Sequence, residues 1–211
     1  KRRVRGINNI KQITNAMELV STAKLRRARI QLEKSRDYYE TVLDDIHDLL
    51  TIVGEEHPLL QVREVENVLY IILTSDRGLA GGYNSNIIKL AEETMEKNNA
   101  GDKLMIVGTK ARDHFARRNY DIKHASVGIS ERPSFQNAKA LGREAMNLYL
   151  SGEVDAIDLV FTRFESTLKN TPKVMRLLPS KEISKVKSGP QTLVAFEPSS
   201  DEVLNYLIPK Y

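Results

Sequence analysis

Between Val4 and Val53 the chain contains no proline, and its only glycine is Gly6. A stretch so free of breakers has few options other than helix. Apolar residues fall at Ile10, Ile13, Met17 and Val20, in steps of three and four. The rhythm returns at Ala28, Leu32, Ser35, Tyr39, Val42, Ile46, Leu49 and Val53. Alternating steps of four and three make the seam along which one helix packs against another. Gly54 and Pro58 end the pattern. The sequence therefore predicts one helix over about residues 2–53, roughly 75–80 Å long at about 1.5 Å per residue. The remaining residues would make a globule about 40 Å across, so about half the helix is expected to project and to need a covering partner. The competing reading is a hairpin broken near Ser21-Thr22, although nothing between Val20 and Ala28 resembles a turn.

Charge divides the same segment. Residues 1–36 hold eleven Lys or Arg and two acids, Glu18 and Glu33; residues 37–56 hold seven acids and no Lys or Arg. The first part should seek acidic surroundings. From Ser21 to Arg27 the helix is basic nearly all round, which suits a solvated face, an acidic protein surface or phosphate. Nucleic acid is a rival partner, but the interleaved aromatics of single-strand binders are missing.

After residue 56 the pattern changes to alternating strands and helices. Val68–Thr74 is a continuous apolar run of the kind found in buried parallel strands. The glycine-rich loop Ser75–Tyr83 follows, then a helix over 84–97 with Ile87, Ile88, Ala91 and Met95 inward. A strand at 103–108, a short helix at 109–118 and a weak strand near 122–127 come next. Ser134 opens a helix to Leu150 with Ala138, Leu141, Ala145 and Leu148 on one face. Strands are predicted at 156–164, 173–178 and 193–196, and a helix over 200–207. The fold class is α/β: a long N-terminal coiled-coil helix plus a small, mainly parallel Rossmann-like sheet domain. The expected division is 1–56 for the helix and 57–211 for the sheet domain.

Candidate chemistry is sparse. The loop holding Gly78, Gly81 and Gly82 sits where α/β enzymes hold phosphate. Its spacing fits neither G-x-x-x-x-G-K-[ST] nor G-x-G-x-x-G, so backbone geometry explains the glycines better. His47, His57, His114 and His124 lack metal-ligand spacing. Asp44, Asp45 and Asp48 read as a solvated helix face rather than paired catalytic carboxylates. Asp76 and Arg77 are the strongest polar candidates left, with a loop ion pair or helix cap as the plain alternative. No cysteine is present, so disulfide and thiolate-metal frameworks are excluded. No apolar run approaches the roughly 20 residues that cross a bilayer. The basic start Lys1-Arg2-Arg3-Val4-Arg5 is not followed by a signal-type apolar segment. No catalytic residue, cofactor or metal site is expected.

Three stretches together resemble the gamma subunit of bacterial F-type rotary ATP synthases. They are residues Ile10 to Ala28 (IKQITNAMELVSTAKLRRA), residues Thr74 to Asn84 (TSDRGLAGGYN), and Leu177-Leu178-Pro179 followed by Phe196-Glu197-Pro198. The resemblance runs over essentially the whole chain in order. It implies a non-catalytic central stalk, in which the N-terminal helix is one half of an antiparallel coiled coil. That coil would sit within a ring of alpha and beta subunits, with the sheet domain against the epsilon subunit and the ring of c subunits. Met17, Lys24, Arg26 and Arg27 would then face the beta subunits, and Phe196 and Glu197 the rotor ring. The implied location is peripheral, at the cytoplasmic face of the cell membrane, without insertion into it and without nucleic acid. In that family the chain continues into a long C-terminal helix. This sequence stops at Tyr211, so the apolar seam has no second helix within these residues.

Overall fold

The computed structural model describes residues 1–53, 63–97, 101–167 and 169–179. The strand predicted at 193–196, the helix predicted at 200–207, and both Phe196 and Glu197 lie outside them. The chain divides into two units, one carrying residues 1–45 and the other residues from 46 on.

The first unit is helical throughout. Helix α1 runs unbroken over Arg2–Val53, 52 residues, so the hairpin reading is excluded. Its surface is mostly polar, with an apolar seam along one side and exposed Leu19 and Ile30 off it. Thr14, Ser35 and Thr41 each donate a hydroxyl hydrogen bond to the carbonyl four residues back, at 2.9, 2.8 and 2.9 Å. Those bonds satisfy side chains that would otherwise compete with the helix. Arg29 and Glu33 form an exposed pair at 3.6 Å, one turn apart.

The second unit is a five-stranded sheet. Its elements are β1 (Val68–Leu73), α2 (Tyr83–Met95), β2 (Lys103–Val107), α3 (Thr109–Ala116), β3 (Ile122–Ser126), α4 (Phe135–Leu150), β4 (Ala156–Phe164) and β5 (Asn170–Leu178). The strand order is β3-β2-β1-β4-β5. The first four strands are parallel and β5 joins antiparallel to β4. That is the half-order of dinucleotide folds, with a hairpin added at one edge. β5 begins at Asn170, three residues before the predicted start, because the hairpin carries its pairing out to Phe164↔Asn170.

Alternation sorts the strands' side chains between two faces. Val68, Tyr70, Ile72, Leu104, Ile106, Ala156 and Val160 form one core with Ile87, Ala91 and Met95 of α2 and Ala111 and Phe115 of α3. Right-handed crossovers place α2 and α3 on this face and send α4 to the other. Leu69, Met105 and Ile157 alternate toward that second face and are also buried. On α4 the buried residues are Ala145 and Tyr149. The predicted inward face is thus corrected at its start. Ala138 is exposed and Leu141 and Leu148 are half-buried, because the helix is seated chiefly by its second half. Arg63 lies 4.7 Å from the centre of the Tyr149 ring and donates to the Tyr149 carbonyl. Ser134 caps α4, its hydroxyl accepting from the Asn137 amide while Asn137 accepts from the Ser134 amide.

One buried ion pair interrupts the apolar face. Asp158 on β4 stands opposite Arg176 on β5, and the guanidinium grips the carboxylate with Nε and Nη2. An acid in an otherwise apolar strand is tolerated only with such a partner.

Gly108 joins β2 to α3 at a φ of 102°, and a Cβ there would meet the Thr74 carbonyl oxygen at 2.2 Å. The chain is this tight because Thr74 closes the end of β1. Its amide donates to the Val107 carbonyl, and its hydroxyl accepts from the Ala111 amide. Gly108→Ala is therefore expected to cost about 2–4 kcal/mol. Gly142, on α4, has nothing within 4 Å of an added Cβ, so Gly142→Ala should gain up to about 1 kcal/mol. Urea unfolding of both variants checks the contrast.

Candidate functional site

Two features of the chain stand out as surfaces built for more than packing. The first is the seam on α1. Val4, Ile7, Ile10, Ile13, Met17 and Val20 are all more than half exposed, and Leu25 and Leu32 nearly so, while exposed Leu19 and Ile30 lie off the seam, on the far side of the helix. Farther along, Tyr39 is half-buried and Val42 buried. An apolar row of this length left in water is costly at about 25 cal/mol per Å², and such rows mark interaction surfaces.

The four α1 residues expected to meet a partner are all exposed. Helical geometry at about 100° per residue sorts them. Met17 and Lys24, two turns apart, share the side that carries Ile10, Ile13 and Val20, with Arg27 at its flank. Arg26 lies on the opposite side. One flat surface cannot meet all four, so whatever engages them must surround the rod. Asp44 and Asp45 are exposed, in keeping with a solvated face.

The second feature is the loop cluster at the carboxyl ends of β1, β2 and β3. The Asp76 carboxylate accepts from the Thr109 amide at 3.0 Å, the Thr109 hydroxyl at 2.9 Å and the Gly128 amide at 2.8 Å. Its second oxygen accepts from the Ser130 amide at 3.2 Å and hydroxyl at 2.6 Å. Thr109 is the first residue of α3, whose amino end favours negative charge. Partial desolvation works to raise the Asp76 pKa. The bonds from Gly128, Ser130 and Thr109 outweigh it and hold the carboxyl well below the usual carboxylate range. Next in sequence, Arg77 pairs with Glu131 at 2.8 Å. Asp76 and Arg77 thus take the plain alternative, a helix cap and a loop ion pair, and together they tie two loops.

On the other side of the glycine loop, Asn84 Oδ1 accepts from the Ser75 amide at 2.9 Å and hydroxyl at 3.0 Å. Gly81 takes a φ of 55° and Leu79 one of 60°. Gly81 therefore serves a tight turn, with Leu79 sharing the same left-handed backbone. His114 and His124 have local partners, whereas His57 and the His47 side chain lie outside the described residues. His114 on α3 meets Glu92 on α2 at 2.7 Å, and His124 on β3 meets Glu144 on α4 at 2.7 Å. Among the described residues no group of three or more acids or histidines is placed to hold a metal.

Sequence reasoning did not find Thr109, Gly128 and Ser130 as partners of Asp76, nor the Asp158–Arg176 pair. A signal existed for the second, a lone acid in the apolar run Ala156–Phe164. For the first the partners lie 33 to 54 residues away, and only the strand order brings them together.

An amphipathic rod and a dinucleotide-type sheet whose loops are tied by their own carboxylate define the class: an interaction subunit of a larger assembly. Comparison with known proteins agrees, for the family described as ATP synthase matches residues 1–211. The ATP synthase gamma chain of Alkaliphilus metalliredigens is 43% identical, over 100% of this chain and 75% of its own length. The gamma chain of Acetobacterium woodii, described as sodium ion specific, is 39% identical over 100% of this chain and 76% of its own length. A chain from the central stalk and c-ring of the Tetrahymena thermophila mitochondrial ATP synthase shares the fold. Its TM-score is 0.70 at 22% identity, covering 94% of this chain and 87% of that one. The chain belongs to the ATP synthase gamma-chain family.

Acid should loosen the loop cluster. With its pKa depressed in the folded state, Asp76 contributes stability in full above the ordinary carboxylate value of about 4. The contribution is lost as pH falls below that value toward the depressed one. Asp76→Asn should cost about 1–2 kcal/mol at neutral pH, the low end of the range because a half-buried carboxylate is screened. The variant should also lose less on acidification. Urea midpoints from pH 7 down to about pH 2.5 measure both effects.

Proposed function

We propose that this chain is the shaft of an F-type ATP synthase rotor, coupling ion-driven rotation to ATP synthesis or hydrolysis at sites on other subunits. The observation that carries the reading is α1: 52 continuous helical residues with an apolar seam exposed from Val4 to Leu32. Residues 1–56 serve as one half of an antiparallel coiled coil, and residues 57–211 form the sheet domain. The coil turns inside a ring of alpha and beta subunits. The sheet domain meets the epsilon subunit and the ring of c subunits.

The mechanism follows from the rod's uneven surface. Identical catalytic sites around a shaft differ only if the shaft touches them differently, and each tenfold shift in a site's affinity needs about 1.4 kcal/mol of differential contact energy. Met17, Lys24 and Arg27 offer one side to the beta subunits while Arg26 offers the opposite one. At any instant neighbouring beta subunits therefore meet different chemistry. Cationic side chains on an exposed helix suit acidic partner loops, and turning the rod moves those contacts from one site to the next. Phe196 and Glu197 lie toward the rotor ring in this reading. No helix among the described residues is long and apolar enough to cross a membrane, and the chain sits peripherally at the cytoplasmic face of the cell membrane.

Charge reversal tests this. Arg26→Glu with Arg27→Glu in the assembled complex should lower ion transport per ATP hydrolysed by several-fold, since opposed charges become like charges. The urea midpoint of the subunit should stay within about 0.5 kcal/mol of wild type, as for other exposed substitutions. Unchanged coupling would remove these residues from the contact.

A further inference from the structure

The loop between β1 and α2 is held in an unusual shape. At its tip Leu79 is 95% exposed with a φ of 60°. An apolar side chain in water and a left-handed backbone at a residue with a Cβ are both unfavourable. Such a conformation persists only where its surroundings dictate it. The base of the loop shows what does so. Five hydrogen bonds converge on the Asp76 carboxylate from α3 and from the loop that follows β3. The Asp76 amide returns a sixth to the Ser130 hydroxyl at 3.1 Å. Arg77 adds its pair with Glu131, and Asn84 pins Ser75 from the α2 side. At the tip itself one backbone bond, from the Tyr83 amide to the Ala80 carbonyl at 3.1 Å, closes the turn, and an added Cβ at Gly81 would meet no atom within 4 Å.

From this arrangement we infer that Asp76 is a positioning residue: its carboxylate locks the β1–α2 loop, Arg77 and Leu79 included, to α3 and to the loop after β3, and coupled turnover depends on that lock. A neutral amide of the same shape cannot replace it. All five bonds to the carboxylate come from donors, so the side-chain amide introduced by Asp76→Asn keeps one acceptor oxygen and turns N–H atoms against the donors that faced the other. Because the donors converge on charge rather than on a particular backbone, a small free carboxylate can substitute in part when the side chain is removed. The link to turnover rests on the shaft reading, whereas the lock rests on the hydrogen bonds alone.

The test uses the intact subunit carrying Asp76→Ala, assembled with its alpha and beta partners, with Asp76→Asn as a second variant of native shape. Amide exchange and ion transport per ATP are measured with sodium formate and with sodium chloride at equal ionic strength. The amides of Thr109, Gly128 and Ser130 should exchange roughly tenfold faster in Asp76→Ala, and in Asp76→Asn those left facing the amide nitrogen should do so. Coupling should fall in both variants. Formate, but not chloride, should recover part of both losses in Asp76→Ala and neither in Asp76→Asn, where the amide fills the space. Unchanged exchange at the three amides overturns the lock. Faster exchange with full coupling, or recovery by chloride as well as formate, overturns the carboxylate's role in turnover. If the wild-type subunit fails to join the ring, the shaft reading falls, and the exchange rates still decide the lock.

Discussion

An apolar row cannot stay in water along a rod without cost, and that constraint orders everything else about this chain. In a compact protein, a helix with a seam is satisfied by folding back on itself. Here α1 runs from Arg2 to Val53 without a break, and Val4 through Val20 remain open to solvent. Short range offers no remedy, because no proline or further glycine lets the chain turn. The seam is therefore a demand for cover, by the second strand of a coil and by surrounding subunits, and the basic stretch Lys24–Arg27 adds a preference for acidic surroundings.

The sheet unit solves a different problem. A dinucleotide-type sheet collects loops at the carboxyl ends of its strands, where amides without partners ordinarily receive an anion. This chain supplies the anion itself. Asp76 satisfies the Thr109, Gly128 and Ser130 amides, and the depressed pKa keeps it charged. The same fold that elsewhere holds a ligand loosely enough to exchange it here holds its own loops fixed. Rigidity of that kind suits a part that transmits force, where a loop that yielded would dissipate the load.

Much of the fold could be read from local pattern. Helix α1 followed from its period and its missing breakers, and β1 and β2 from their apolar runs. The start of α4 at Ser134 was read from the sequence, yet Ala138 was placed inward and is exposed, because period alone does not say how far along a helix its support extends. The antiparallel direction of β5 was not legible, since strand direction depends on a hairpin rather than on residue type. For the site, Asp76 was recognisable as an unusual polar residue in a glycine loop. Its role was not, because Thr109, Gly128 and Ser130 reach it only through strand order. Met17, Lys24, Arg26 and Arg27 were named through family resemblance, and only helical geometry separated Arg26 from the other three.

The sequence contains no cysteine, so Ile13→Cys places in the seam a unique reporter of whether other polypeptide covers it. Its rate of reaction with a maleimide should be high in the isolated chain and should collapse once the subunit is assembled with its alpha and beta partners. Equal rates before and after assembly would mean that the seam is not covered, and would contradict the account at its root.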